Sequence, residues 1–482
     1  MSIHQSHPKP HPALFIPEVL LHCFQDLGRS GLASAALVCK DWSISLDLLW
    51  KEHKVPLSVI VARLNEISKS KLPQSDKIDL YAAFFKRTAQ KITQLDVDQD
   101  ITDTIAEILK SISSTLQTHL IPNLRDLRLS TSKYKNPEDS VLFKTMITKD
   151  QRITSLTIEN HPEEDLEKIF MALGNVTPHV QQFTLGAPEY PGNFNIDCGV
   201  FQQLRVAYLQ DIDPDAWRPL VGGCHFLEEV VLTVGEDEYC YEDPYPEPIP
   251  TSLSLRNLTI EWSAYAYAIA STIMPNLRTI TFGRLPSETD ITHRLAKHSP
   301  DLACLDITYE GVEIGEDTLE GISKMTELRV VDLSGLDGIL FTDDSIDHLA
   351  RSLPHLKRLS LPLTDEYRIS PAFIPLTWDS LESLLRHCSS LEDVELSLNF
   401  SDFQLNLTDV RPTVITRVTI SDPTLPDDEE VLKDIAKCLA AWCPNAKELW
   451  GGPDPYARRD HKDWDELVSL FKLYRESNSA VL

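Results

Sequence analysis

A six-residue frame, apolar-x-x-apolar-x-apolar, recurs through most of this chain and limits its possible folds more than any other feature. It reads LRDLRL at Leu124, ITSLTI at Ile153, VQQFTL at Val180, LRVAYL at Leu204, LEEVVL at Leu227 and LRNLTI at Leu255. LRTITF at Leu277, LACLDI at Leu302, LRVVDL at Leu328, LKRLSL at Leu356, LEDVEL at Leu391 and ITRVTI at Ile415 continue it, and a weaker AKELWG begins at Ala446. Successive anchors lie 22 to 35 residues apart. A period-2 apolar pattern only six residues long fits a short strand, and recurrence at that interval fits a stacked array of one supersecondary unit.

Between the frames the periodicity changes to that of helices. Ile101, Ile105, Ile108, Leu109 and Ile112 share one face, as do Ile346, Leu349, Ala350 and Leu353, and again Val431, Leu432, Ile435, Cys438 and Leu439. Strand, turn and helix therefore alternate, which predicts parallel strands joined by right-handed crossovers and stacked into a curved solenoid. With 482 residues, the chain exceeds what one hydrophobic core can absorb, in keeping with repeats. The frame and its spacing resemble leucine-rich repeats. Only Asn399 stands where that family places Asn or Cys, eight residues past the anchor, so an irregular solenoid is expected. The alternative is that some frames are ordinary buried strands of an irregular α/β domain.

In such strands the residues between the apolar positions face away from the core. Positions three, five and seven of the frames hold Asp126, Glu159, Glu229, Glu261, Asp306, Asp332, Asp393, Glu395 and Glu448 against Arg128, Arg358 and Arg417. The candidate substrate-binding residues on this concave face are Tyr208, Glu229, Glu261, Asp306, Asp332, Asp393, Glu395 and Trp450, the two aromatics as anchors. An acidic face predicts a basic protein ligand and poor recognition of phosphorylated peptides, which needs clustered Arg. A solvated face that binds nothing is the competing reading. The acidic stretches GEDEYCYEDPYPEPIP (235–250) and LPDDEE (425–430) read as exposed loops between repeats.

The N-terminal region has a different pattern. After a His- and Pro-containing tail over 1–11, Pro17 suits the first turn of a helix, and Ile16, Val19, Leu20, Cys23, Phe24 and Leu27 form its apolar stripe. A second helix carries Leu32, Ala35, Ala36 and Cys39, and a third follows Asp41 with Trp42, Leu46, Leu49 and Trp50. Three helices this short bury little among themselves, so their stripe must face something else: the end of the solenoid, or a partner. FIPEVLLHCFQDL…GLASAALVCKDWSISLDLLW resembles the F-box, in a version similar to F-box proteins of filamentous fungi. The resemblance implies docking on the Skp-family adaptor of cullin–RING ubiquitin ligases. Its adaptor-binding set would be Ile16, Pro17, Val19, Leu20, Cys23, Phe24, Leu32, Val38, Cys39 and Trp42.

The expected organisation is thus α/β: a three-helix F-box bundle over 12–56, a helical linker over 57–119 and a leucine-rich-repeat-like solenoid over 120–482. Net charge is −28, and residues 1–60 are balanced, with five basic and five acidic side chains, so the repeats hold the whole excess. Such a field repels nucleic acid and anionic membranes. No stretch is long and apolar enough to span a bilayer. Nine scattered cysteines without a C-x-x-C pair argue for reduced thiols in cytoplasm or nucleus and against zinc. No phosphate-binding, dinucleotide, metalloprotease or G-x-S-x-G motif occurs, so neither a cofactor nor catalysis is expected.

Overall fold

The computed structural model describes residues 55–88, 92–97, 103–116, 120–129, 147, 151–159, 173, 177–186, 200–210, 217–233, 250–261, 266–285, 290–339, 341–362, 376–401, 403, 412–452 and 460–479. Of the F-box-like segment 12–56 only Val55 and Pro56 are described, and nearly all of the acidic stretch 235–250 lies outside the described residues. The chain divides into two compact units, 1–204 and 205–482.

In the first unit, strand β1 (Val55–Pro56) is followed by helices α1 (Leu57–Lys69) and α2 (Gln74–Thr88) and strand β2 (Gln94–Val97). Helix α3 (Asp103–Leu116) then precedes β3 (Asp126–Leu129), β4 (Ser155–Ile158) and β5 (Gln182–Leu185). The five strands pair in parallel in sequence order. β2 lies inside the stretch expected to be a helical linker. Ile92 just before it and its own Leu95 and Val97 form one more copy of the frame, all buried, with Leu95 and Val97 in register with Leu127 and Leu129 of β3.

The second unit continues the same logic through strands β6 (Val206–Gln210) to β16 (Leu449–Gly452). Its ladder runs β6, β7 (Glu229–Thr233), β8 (Asn257–Ile260), β9 (Thr279–Leu285), β10 (Cys304–Ile314), β11 (Val330–Ile339) and β12 (Arg358–Leu361). β14 (Asp393–Asn399), β15 (Arg417–Thr424) and β16 complete it, and the two-residue β13 (Leu376–Thr377) pairs with β14 alone. Every pairing is parallel, so each return must cross over, and helices supply most of the crossovers. They are α4 (Trp217–Gly223), α5 (Ala266–Ala270), α6 (Asp290–His298), α7 (Glu316–Ser323), α8 (Asp343–Ser352), α9 (Trp378–His387) and α10 (Glu429–Trp442); α11 (Asp460–Ser479) follows the last strand.

Each frame found in the sequence is a strand that begins two or three residues after its anchor, and the frame's apolar positions form the core. Leu302, Leu305 and Ile307 are fully buried, as are Leu328, Val331 and Leu333 in the next repeat. Burying each such side chain contributes about 1.5–3 kcal/mol relative to leaving it exposed. Register is fixed position for position, Leu305 against Val331 and Val331 against Leu359. A recurring main-chain device locks it: two successive N–H groups donate to one carbonyl of the preceding repeat. Glu392 and Asp393, for example, both donate to Lys357 O, at 2.7 and 3.0 Å.

Helix starts follow local chemistry. Thr342 caps α8 through a reciprocal box with Ser345, with Asp343 and Asp344 in the first turn. Asp428 caps α10 by accepting from Glu430 N at 2.9 Å, followed by Glu429 and Glu430. LPDDEE is thus a short connection over 425–428, as expected, that runs into the first turn of α10 at Glu429 and Glu430; carboxylates gathered at a helix N-terminus meet the positive end of the helix dipole. Helices α6 and α7 approach closely at Gly321. A Cβ built there would lie 2.2 Å from Thr292 Oγ1 and 2.8 Å from the His293 nitrogen. Near the far end of the unit, Trp378 packs against Trp442 and Phe403, each with ring centroids 4.9 Å away.

Candidate functional site

With the apolar frame positions committed to the core, strands β10 to β15 present positions three and five of each frame on the sheet's opposite face. Parallel pairing aligns them into rows. One row runs Asp306, Asp332, Ser360, Glu395 and Thr419, each the register partner of the next. The neighbouring row runs Cys304, Val330, Arg358, Asp393 and Arg417. Four expected residues, Asp306, Asp332, Asp393 and Glu395, are brought together in this way although 89 residues (306 to 395) separate the outermost pair.

Two arginines divide the cluster unevenly. Arg358 Nη2 donates to Asp332 Oδ2 at 2.9 Å, and its Nε lies 4.0 Å from Asp393 Oδ2. Arg417 Nη1 reaches Asp393 Oδ2 at 3.7 Å. Glu395 is held by hydroxyls, accepting from Ser360 Oγ at 2.7 Å and from Ser421 Oγ at 3.5 Å. Asp306 and Glu395 have no ion-pair partner among the described residues. Burial raises the Asp306 carboxyl above its ordinary range, the charge of Asp332 adds to this and Arg358 opposes it. Burial also raises Asp332, against Arg358 and Ser360. The Cys304 thiol is pushed up by burial and then by both aspartates. The cluster is thus short of positive charge, and a cation brought to it would relieve a strain already present.

The other expected residues are more dispersed. Tyr208 donates to Glu229 Oε1 at 3.0 Å on β6 and β7, and burial first, then Glu229, raises its hydroxyl pKa. Glu261 is exposed just past β8, and Trp450 on β16 is 54% exposed beside Thr419. Glu448, one residue before β16, lies 3.8 Å from Lys472 of α11. In the first unit Arg128 Nε donates to Glu159 Oε2 at 2.9 Å, so that base and that acid satisfy each other. All ten adaptor-binding candidates, Ile16 through Trp42, fall outside the described residues.

Sequence reasoning missed the hydroxyls of Ser360 and Ser421 and the Thr308–Ser334 contact at 3.1 Å. They occupy the same frame positions as the acids and could have been found by reading every outward residue, charged or not. Among the described residues no group of three or more His, Cys, Asp or Glu is arranged to hold a metal ion, and no helix is long and apolar enough to cross a membrane.

Strand–helix units stacked in register, with apolar sets sequestered on one side and a charged row on the other, define an α/β repeat protein of leucine-rich-repeat-like organisation. Among solved structures, the chain is similar to a leucine-rich-repeat protein of Leptospira interrogans, at 13% identity and a TM-score of 0.39, covering 81% of this chain and 97% of that one. It is also similar to the protein in the TLR13–ssRNA13 complex, at 13% identity and a TM-score of 0.34, covering 75% of this chain and 52% of that one. No protein-family profile matches the chain, and neither does any curated protein.

Proposed function

We propose that this chain is a protein-binding repeat scaffold and, more finely, the substrate receptor of a Skp–cullin–F-box ubiquitin ligase in the cytosol or nucleus. The binding reading is carried by the row from Asp306 to Glu395, where two half-buried carboxylates lack a cationic partner on the face opposite the apolar frame positions. A Lys- or Arg-bearing protein segment would supply the missing charge, with Trp450 as an apolar anchor at the end of the unit. The ligase reading rests on the F-box resemblance of residues 12–56. In that role the chain does no bond chemistry: it holds a protein near the transferring subunits, and the gain is one of proximity.

The test is co-expression of the full chain with a Skp-family adaptor, followed by size-exclusion chromatography, comparing wild type with Ile16→Asp and with Asp306→Lys/Glu395→Lys. Ile16→Asp is expected to abolish co-elution, whereas the face variant keeps the adaptor and loses affinity for an Arg/Ser-alternating dodecapeptide. Absence of a wild-type complex would leave a repeat scaffold acting outside a ligase. Equal loss of adaptor and peptide in either variant would refute the separation of the two surfaces.

A further inference from the structure

The N-terminal ends of the strands in the second unit carry a second charged row, of opposite sign. At frame position two, each backbone N–H donates to the carbonyl of the same position one repeat earlier. Glu228 donates to Arg205 at 2.7 Å, Arg256 to Glu228 at 2.9 Å, Arg278 to Arg256 at 2.8 Å, Ala303 to Arg278 at 2.9 Å, Arg329 to Ala303 at 2.8 Å and Lys357 to Arg329 at 2.7 Å. These seven residues therefore form one line with rungs about 4.8 Å apart. Five of the seven are basic and exposed, in a chain whose net charge is −28.

Three of the five are answered by acids: Arg205 by Glu228 at 3.6 Å, Arg278 by Asp301 at 3.3 Å and Lys357 by Glu392 at 2.7 Å. The guanidiniums of Arg256 and Arg329 have no partner among the described residues. Beside Arg256 two large apolar side chains stand in the open, Phe226 at 58% and Leu253 at 67% exposure. Together with Arg256, Arg278, Asn276, Ser254 and Glu228, the last of which faces Arg205, they line a groove of about 360 Å³. Exposed apolar side chains that share a groove with an unanswered guanidinium combine an anchor pocket with a charge that needs a counterpart.

We infer that this edge binds an extended acidic segment of a partner protein, with an apolar side chain seated between Phe226 and Leu253 and carboxylates on Arg256 and Arg329. The two arginines are three rungs apart, about 14 Å, and an extended peptide advances about 3.3 Å per residue, so carboxylates about four residues apart meet both. A peptide is favoured over a nucleic acid because Glu228 interrupts the row, Asp301 and Glu392 flank its bases, and the surrounding field repels a continuous polyphosphate. The surface is separate from the acidic face and uses none of residues 1–54.

The test is fluorescence anisotropy of the full chain with a fluorescein-labelled, Ser-rich dodecapeptide carrying one Phe and four Glu. Saturable binding is expected, weakened about tenfold by Arg256→Glu/Arg329→Glu, comparably by Phe226→Ser/Leu253→Ser, and also when the peptide's Glu are changed to Gln. Arg351→Gln, which removes an exposed base on α8 outside this row, should leave it unchanged. All substituted residues on this edge are exposed, so melting temperatures should match wild type; Arg256→Gln/Arg329→Gln serves if the charge reversal lowers them. Wild-type failure to bind, undiminished binding by the arginine variants, or tighter binding of an oligothymidylate of equal charge would each overturn the inference.

Discussion

Replacing Asp306 by Asn should stabilise the folded chain at neutral pH. Asp306 and Asp332 are register partners on adjacent strands, which places like charges directly opposite each other. At a separation of about 6 Å and an effective dielectric constant of about 40, between that of a protein surface and water, their repulsion is about 1.4 kcal/mol. Arg358, 2.9 Å from Asp332, cancels part of it, leaving a net cost of about 1 kcal/mol, the upper end of the cross-strand range. The pH dependence follows from the raised Asp306 carboxyl. Between the ordinary carboxylate value and the raised folded value, the unfolded chain is ionised while the folded chain keeps its proton. The unfolded state then binds fewer protons, so stability falls as pH rises through that window, and the penalty is complete above it. Asn never ionises, so its advantage should be full at pH 7 and disappear by about pH 3. Thermal melts followed by near-ultraviolet circular dichroism should show a rise of about 2 °C at pH 7 and none at the acid end. A lower melting temperature at pH 7, or an equal gain at both pH values, would refute the electrostatic account. Asp332→Asn is the informative control: it removes the same like-charge pair but loses the charge of the Arg358 contact at 2.9 Å, so its gain should be the smaller of the two.

Two further predictions concern packing between repeats. Asp343 accepts from Thr377 N at 2.9 Å, from Thr377 Oγ1 at 2.7 Å and from Ser380 Oγ, so that an acid in the first turn of α8 also caps α9. Asp343→Ala should cost about 2 kcal/mol in urea denaturation, with Asp343→Asn recovering part of it; no change would show that Thr377 caps α9 unaided. Gly321→Ala should cost about 1–3 kcal/mol because its new methyl meets Thr292 and His293 of α6. Gly222, with nothing within 4 Å of its added Cβ, is the neutral comparison.

Much of the fold was legible because it is written locally. Each frame carries its own alternation, and the structure makes every one a strand with its apolar positions buried, Leu124 and Leu127 as fully as Leu391 and Val394. The copy at Ile92 has the same form and was passed over only because helical periodicity dominates its surroundings. In LPDDEE the loop is legible but its last two residues open a helix, because an acidic loop and a helix N-terminus share a composition; what marks the boundary is that Asp428 Oδ1 accepts from the N–H of Glu430.

The sequence by itself determined which residues are inside and which face of each strand is polar, since both follow from a two-residue period that no distant contact can alter. Only the tertiary structure decided who meets whom across the strands. Arg358 and Asp332, Ser360 and Glu395, and Asp343 and Thr377 are separated by 26, 35 and 34 residues, and crossovers of unequal length hide their register from any local pattern. The same registration lines up Arg256, Arg278 and Arg329 at the strand ends. Residues outside the alternation have no period of their own, and become a row only when the backbone ladder stacks one repeat on the next.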